Sequence, residues 1–336
     1  MRILLILLVL PLAAAAQRSP TADSLRTKYR TTDIFKETEK RMQTDSAVYP
    51  DSLVLPPWHY TDTWVGLPDT IRNFRSISFD IRVKDPVPKG YKLYIAPFSG
   101  VLGGMPFYCG LQTASGGKKR GGKDQEIGRG GIFSRWYERS DKALKTPGYF
   151  ASSGDEGDFI SVRNRLEWDK GTYRVLLYKS GYVPGKPVLG DTDKNSLIFS
   201  FGQYEQSWVT MKVTCLETGL TVTIGSLAFP GRTLVFSPVF CIFFEQYGEV
   251  IDFSRQKRDG MWDYRSLPII GVDLSGLRIN GTRVNPSILE PSYNAAHNPE
   301  QDKIHMPMPR VADVQWEKET GTIHCTTGKL FEWKAE

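Results

Sequence analysis

Hydrophobic and polar residues alternate with a period of two along much of the chain, a pattern typical of half-buried β-strands. The clearest case is the segment 74–83, where Ile77, Phe79 and Ile81 alternate with polar residues. A second alternating run, 172–178, follows the Trp-Asp-Lys-Gly turn at 168–171. The pattern therefore predicts antiparallel strands that are joined by tight turns.

The same reading predicts many short strands and no long helix. Apolar runs bounded by turn residues occur at 91–96, 107–112, 131–136, 159–162, 196–201, 207–216, 220–224, 233–236, 240–246, 249–253 and, as a final pair, within 322–333. The apolar run 234–244 is interrupted by Ser237 and Pro238, which predicts a buried strand pair with a bend. Strands at this spacing favour an all-β fold, an antiparallel β-sandwich of the jelly-roll or lectin-like kind.

The first sixteen residues have the features of a secretory signal peptide. Arg2 precedes an apolar run, and small residues end in Ala14-Ala15-Ala16, which predicts a mature chain that starts at Gln17. The apolar run is shorter than the roughly 20 residues of a membrane-spanning helix. The sequence thus predicts a secreted or periplasmic protein without a membrane span.

The remainder divides into an arm and one large domain. Residues 17–72 are polar at first and then rich in proline, which predicts a poorly structured N-terminal arm and an extended entry segment. Residues 73–336 are assigned to the β-sandwich domain. The chain is large enough to bury a substantial core without covalent cross-links.

Composition and charge agree with a folded, soluble domain. The 336 residues are 40% hydrophobic and 24% charged, with a formal net charge of +6. A mild positive charge on a domain of this size does not favour nucleic acid as a partner. Four cysteines permit two disulfides or buried free thiols, and the sequence leaves both open.

A search for catalytic motifs gives mainly negative results. No H-E-x-x-H or G-x-S-x-G sequence occurs, and the four histidines lack the spacing of metal ligands. The segment 117–123 resembles a phosphate-binding loop, but Asp124 replaces the Ser or Thr that would hold magnesium. The glycine-rich segment 116–131 instead predicts a mobile loop, or a flexible cationic lip beside a site.

One acidic turn has candidate chemistry. Asp155, Glu156 and Asp158 occupy four positions before a predicted strand, and their like charges repel unless a cation, a polyol or basic groups relieve them. Hard oxygen ligands suit calcium, so these three residues form a candidate metal site. A solvated acidic turn explains the same pattern.

Four segments in order resemble a known bacterial family. They are Phe107–Thr113, Gly130–Trp136, Ser153–Phe159, and Trp168 with Gly171–Arg174. Together with 224–230 they are similar to the domain of unknown function 3472 family over about 91–253. The long Gly/Lys insertion at 115–129 departs from the family pattern. The resemblance implies an exported, lectin-like sandwich and no established chemistry.

Two classes of function follow. The first is a carbohydrate-binding or envelope-associated module that binds polysaccharide or cell-envelope glycan, with Gln112, Trp136, Tyr137, Glu156 and Arg163 as ligand-binding candidates. The second is a glycan-active enzyme on the same sandwich.

The enzyme would need two carboxyl groups roughly 5–10 Å apart. Glu156 is the first candidate, and Glu167 or Glu138 the second. For either class, we expect the turn at 155–158 to lie beside Trp136 on one concave face.

Overall fold

The computed structural model describes residues 59–154, 157–187, 201–246, 268–293 and 310–331. The predicted signal peptide, most of the predicted arm and the predicted strand 249–253 lie outside these residues, as does nearly all of 196–201. The part of the chain that the structure describes contains no helix long and apolar enough to cross a bilayer.

Two antiparallel sheets form the fold. The eight-stranded sheet has the order β15 (Ile288–Tyr293), β1 (His59–Gly66), β12 (Val239–Gln246), β3 (Leu93–Leu102), β4 (Met105–Gly117), β5 (Gln125–Trp136), β8 (Gly157–Arg165) and β7 (Tyr149–Gly154). The nine-stranded sheet has the order β16 (Arg310–Glu317), β17 (Thr322–Phe331), β13 (Ile270–Ile279), β2 (Ser76–Val83), β9 (Gly171–Val183), β10 (Gln206–Cys215), β11 (Thr221–Pro230) and β6 (Leu144–Lys145), and β14 (Thr282–Arg283) pairs with β13. A short 3-10 helix covers Asp141–Ala143.

The hydrophobic core lies between the two sheets. Phe79 of β2 stacks on Phe98 of β3, with ring centroids 5.9 Å apart, and Phe133 of β5 stacks on Phe229 of β11 at 6.0 Å. Alternate residues of each strand face this core, as the period-two pattern requires. The predicted all-β, antiparallel sandwich is confirmed.

Several elements differ in detail from the sequence prediction. β1 lies in the proline-rich stretch assigned to the entry segment, and it is an inner strand of the eight-stranded sheet. β6, β7, β13, β14 and β15 were not predicted, and the predicted strand 233–236 has only isolated bridges at Phe236. The final pair joins 310–317 to 322–331, so that only its second strand lies in the predicted region.

The glycine-rich segment forms a β-hairpin where the sequence predicts a mobile loop. β4 continues to Gly117 and β5 starts at Gln125. Beyond β4, Lys118 pairs with Phe150 of β7 through two backbone hydrogen bonds of 2.9 Å. The ammonium groups of Lys118 and Lys119 lie over the rings of Phe150 and Tyr149, so these basic residues hold the hairpin against β7.

The four cysteines are free thiols. Cys109, Cys241 and Cys325 are buried, and Cys215 is half-buried. Burial raises the pKa of the three buried thiols well above its ordinary value. They therefore stay protonated and act as small hydrophobic groups.

Candidate functional site

Three of the predicted ligand-binding residues lie on the same side of the eight-stranded sheet. Trp136 pairs with Phe159, Ile132 pairs with Arg163, and Gln112 pairs with Gly130. Directly paired residues of antiparallel strands point to the same side of a sheet. Their sequence neighbours in β4 and β5, such as Leu111 and Phe133, belong to the core. Gln112, Trp136 and Arg163 thus project from the opposite side, which we call the outer face.

Five aromatic rings, each in contact with the next, form a row across this outer face. Phe159 lies 5.9 Å from Trp136, Trp136 lies 6.4 Å from Tyr108, Tyr108 lies 6.4 Å from Phe243, and Phe243 lies 5.2 Å from Tyr94, all between ring centroids. We call these five residues the aromatic strip. It runs over β8, β5, β4, β12 and β3, so it joins strands that are distant in sequence.

The strip has a buried floor and a partly exposed edge. Tyr94 and Phe243 are buried, whereas Tyr108, Trp136 and Phe159 are half-buried. Burial raises the pKa of Tyr94 well above its ordinary value, so its hydroxyl keeps its proton. That hydroxyl has no hydrogen-bond partner among the described residues. The strip therefore combines apolar ring surface with an unused polar group.

Tyr137 directly follows Trp136, the last residue of β5, but its side chain points elsewhere. Its φ of 59° lies in the left-handed region, and its amide donates to the carbonyl oxygen of Asp158 at 2.8 Å. Its side chain packs against the core cluster. Although it was predicted as a ligand-binding residue, Tyr137 does not share the outer face with Trp136.

The described end of the predicted acidic turn, Gly157 and Asp158, adjoins Trp136. A Cβ placed on Gly157 would lie 3.9 Å from the Trp136 ring. The carboxylate of Asp158 binds the guanidinium of Arg139. Asp155 and Glu156 lie outside the described residues, and the residues that are described contain no group of three possible metal ligands. The calcium site and the role of Glu156 stay predictions.

Glu138 is part of a buried ion pair that faces the core. Its carboxylate accepts from the Arg135 guanidinium at 2.9 Å and from the amides of Arg139 and Ser140 at 3.0 and 2.8 Å. Arg135 and Glu138 are 0% and 1% exposed. Burial lowers the pKa of Arg135 to about 10, although Glu138 opposes that shift. This pair fixes the chain reversal after β5.

The enzyme hypothesis pairs Glu156 with either Glu138 or Glu167. These two alternative partners, Glu138 and Glu167, lie at opposite ends of β8. Glu138 adjoins the start of β8, because its neighbour Arg139 binds Asp158 there. Glu167 follows the end of β8 and is exposed. At about 3.3 Å per residue, the nine-residue strand places them about 25 Å apart. Glu138 is also occupied within the core, and so it cannot face a cleft.

A cleft of about 510 Å³ opens at the turn end of the β4–β5 hairpin. Its lining includes Ser115 of β4, Glu126 of β5, Arg163 of β8, and Asp124 and Lys92 from the adjoining loops. The sequence analysis selected Arg163, and its alternative of a cationic lip beside a site at 116–131 covers Asp124 and Glu126, whereas Ser115 and Lys92 were missed. The one available signal was the mixture of basic and glycine residues at 115–129, where the chain departs from the family pattern.

The guanidinium of Arg163 is held in a fixed position inside this cleft. Its Nε donates to the hydroxyl of Ser161 at 3.2 Å, and its Nη1 donates to the carbonyl oxygen of Gly116. Nη2 makes no hydrogen bond to any described residue. A guanidinium that is anchored through two nitrogens and has a third one free is oriented in advance for an acceptor.

His59 lies at the β1 end of the outer face. Its ring stacks on Phe243 with centroids 4.4 Å apart, and its Nδ1 lies 2.7 Å from the carboxylate of Asp62. Burial alone lowers the pKa of His59. Attraction to Asp62, the hydrogen bond with Asp62 and the charge of Glu245 together raise it above 6.5.

A raised pKa in the folded state makes stability depend on pH. We expect the contribution of His59 to be complete below about pH 6.5 and to be lost as the pH rises through the folded-state pKa. His59→Gln should remove this component of the pH dependence. Urea midpoints measured between about pH 5 and pH 8 check it, and identical pH slopes for the wild type and the variant would show that His59 carries no such contribution.

Comparisons with known proteins identify no relative by sequence. No family model matches the chain, and no curated protein matches it. Among solved structures, Scytalido-glutamic peptidase with a peptide-based transition-state analogue is similar, with 12% identity over 79% of this chain and 98% of that chain and a TM-score of 0.35. SCP-B, a member of the eqolisin family of peptidases in complex with the tripeptide Ala-Ile-His, gives 12% identity, the same coverage and a TM-score of 0.32. Likeness at this level carries no conclusion about activity.

Proposed function

We propose that this chain is an exported carbohydrate-binding protein whose outer face binds polysaccharide or cell-envelope glycan. The observation that carries the proposal is the aromatic strip. Half-buried rings such as Trp136 and Tyr108 offer flat apolar surface, and the polar groups beside them can fix the orientation of a ligand. Export rests on the N-terminal segment 1–16.

The extent of the face favours a chain of several sugars over a single one. The partner of Gln112 on β5 is Gly130, six residues before Trp136. At about 3.3 Å per residue, these two candidate positions are about 20 Å apart along the strand. A ligand that contacts both ends must therefore be extended, as a polysaccharide is.

Free polar groups accompany the rings. The side-chain amide of Gln112 is half-buried and makes no hydrogen bond within the described part of the chain. Its donor and acceptor are both available to sugar hydroxyls. The adjacent β4 backbone is held in place, because the Trp168 indole donates to the carbonyl oxygen of Gln112 at 2.9 Å.

The structure gives the enzyme alternative no comparable observation. Glu138 is bound inside the core, Glu167 lies at the other end of β8, and Glu156 lies outside the described residues. We therefore propose binding, without catalysis, as the function of the outer face.

Alanine substitutions at the strip should weaken glycan binding. Trp136→Ala and Tyr108→Ala remove apolar ring surface, and truncation of an aromatic residue central to a binding surface costs about 2 kcal/mol, or about thirtyfold in affinity. Isothermal titration against the polysaccharide that binds best in a panel of neutral and acidic polysaccharides measures the change.

Tyr182→Ala is the matched control. This tyrosine is 40% exposed on β9 of the other sheet, so its removal should leave affinity unchanged. Equal affinity of the wild type and both strip variants would contradict the proposed face. Failure of the wild-type protein to bind any polysaccharide in the panel would contradict the proposed function.

A further inference from the structure

We propose that the cleft at the turn end of the β4–β5 hairpin binds the carboxylate of a hexuronic acid unit in an acidic polysaccharide. This inference rests on the proposed function, because the cleft lies on the same face as the aromatic strip and supplies its charge specificity. The cleft contains two unpaired cations, one unpaired hydroxyl and acidic groups at its rim.

Two cations line the cleft without forming a salt bridge to a described residue. Neither Lys92 nor Arg163 has a carboxylate within 4 Å among the described residues, although both are half-buried. Half of the other partly buried cations in the described part of the chain are paired, as Lys84 is with Asp273 and Arg174 is with Asp80. Two unpaired cations in one partly desolvated cleft attract an anion.

The hydroxyl of Ser115 is a second, independent sign of a ligand. Ser115 is 1% exposed, and its Oγ has no hydrogen-bond partner among the described residues. A buried polar group without a partner is rare, and a bound ligand is one of the ways in which such a group is satisfied. Ser115 lies one residue before Gly116, whose carbonyl oxygen accepts from Arg163. The unpaired hydroxyl and the anchored guanidinium therefore belong to one local structure.

The rim of the cleft identifies the rest of the ligand. Asp124 and Glu126 line the cleft and are exposed, whereas Ser115 and Arg163 lie deeper. A small inorganic anion would gain nothing from acidic neighbours. A uronic acid would use both regions, since its carboxylate accepts from the cations and its hydroxyls donate to the rim carboxylates.

Size and position agree with this ligand. About 510 Å³ falls within the range of small-molecule sites, roughly 300–1,000 Å³. Arg163 pairs with Ile132, four residues along β5 from Trp136, which corresponds to about 13 Å. One extended chain can therefore stack on the strip and place an acidic unit in the cleft.

The test compares charged polysaccharides with neutral ones. Isothermal titration of the full mature chain with polygalacturonate, alginate and hyaluronan is set against carboxyl-reduced polygalacturonate. We expect the acidic polymers to bind at least tenfold more tightly than the reduced one, with affinity that falls as salt is added. Galacturonate and inorganic phosphate, used as competitors, distinguish a polysaccharide site from a site for small anions.

Three substitutions locate the effect. Arg163→Gln and Lys92→Gln should each weaken the binding of acidic polymers about tenfold to a hundredfold, the usual effect of losing a hydrogen bond to a charged group, and should weaken the binding of the reduced polymer much less. Ser115→Ala should weaken binding severalfold without lowering the melting temperature of the free protein, because it removes an unsatisfied group. Lys89→Gln removes an equal charge from a nearby exposed position and is the control.

The possible results distinguish failure of this inference from failure of the proposed function. Equal binding of acidic and reduced polymers overturns the inference and leaves the proposed function standing. Absence of binding to any polysaccharide, acidic or neutral, overturns both. Displacement by phosphate as effectively as by polymer also overturns the inference, since the cleft would then hold a small anion.

Discussion

Glu138→Gln is expected to lower the free energy of unfolding by about 3–5 kcal/mol, the usual cost of removing one partner of a buried ion pair. The substitution leaves the Arg135 guanidinium charged in the core at 0% exposure. Two of its nitrogens, Nε and Nη1, already lack a hydrogen-bond partner among the described residues, and its guanidinium lies 5.5 Å from the Phe229 ring centroid. Among the described residues, no other carboxylate lies within 4 Å of this guanidinium, and the Phe229 ring compensates its charge only weakly.

Asp141→Asn is the matched control, because it neutralises one partner of an exposed pair. Arg120 and Asp141 are 3.0 Å apart, with side chains 62% and 47% exposed. Exposed pairs contribute about 0–1 kcal/mol. Urea unfolding with a common m-value measures both variants, and similar losses for the two would show that burial does not set the strength of the Arg135–Glu138 pair.

A double variant separates the charge from the hydrogen bonds. Arg135→Met combined with Glu138→Gln leaves no buried charge, while the glutamine carbonyl still accepts from the amides of Arg139 and Ser140. We expect the double variant to recover part of the loss seen in Glu138→Gln alone. A double variant that is less stable than the single one would show that the packing of Arg135 matters more than its charge.

The period-two pattern was enough to predict the class of fold. Strand 76–83 lies where Ile77, Phe79 and Ile81 alternate, because one side of that strand faces the core and the other does not. β1 was harder to predict. It follows a proline-rich stretch, and its place between β15 and β12 is set by pairing with segments more than 170 residues away in the chain, which local patterns do not report.

The residues of the candidate site were likewise only partly predictable from the sequence. Gln112, Trp136 and Arg163 could be selected because each is a polar or aromatic residue within an apolar strand. Tyr137 could not be separated from Trp136, since its orientation depends on a positive φ at a non-glycine residue. The partners of the strip, such as Phe243, come from strands whose order is not encoded in any local motif.

Gly110 illustrates a motif whose physical reason appears only in the structure. It belongs to the Phe107–Thr113 segment that resembles the bacterial family. In the sheet, β3 has one extra residue between Ile95 and Phe98, opposite the single position between Leu111 and Cys109. This bulge brings the β3 backbone close to Gly110.

Gly110→Ala should therefore destabilise the protein by at least about 3 kcal/mol, at the upper end of the cost of overpacking. A Cβ on Gly110 would lie 2.0 Å from the carbonyl oxygen of Ile95 and 2.9 Å from the Cα of Ala96, and both are backbone atoms that no side-chain rotation can move. The strands would have to separate at a central pairing of the eight-stranded sheet. Urea unfolding measures the loss.

Gly181→Ala provides the comparison within a strand. Its Cβ would meet the Trp208 side chain at 3.5 Å, an ordinary contact, so the change should stay within about 1 kcal/mol. Equal stability of the two variants would show that the bulge relaxes freely. If it does not relax, separation of β3 from β4 also moves Tyr94 relative to Gln112, which pair across these strands. Gly110→Ala should then weaken glycan binding although it removes no group that contacts the ligand.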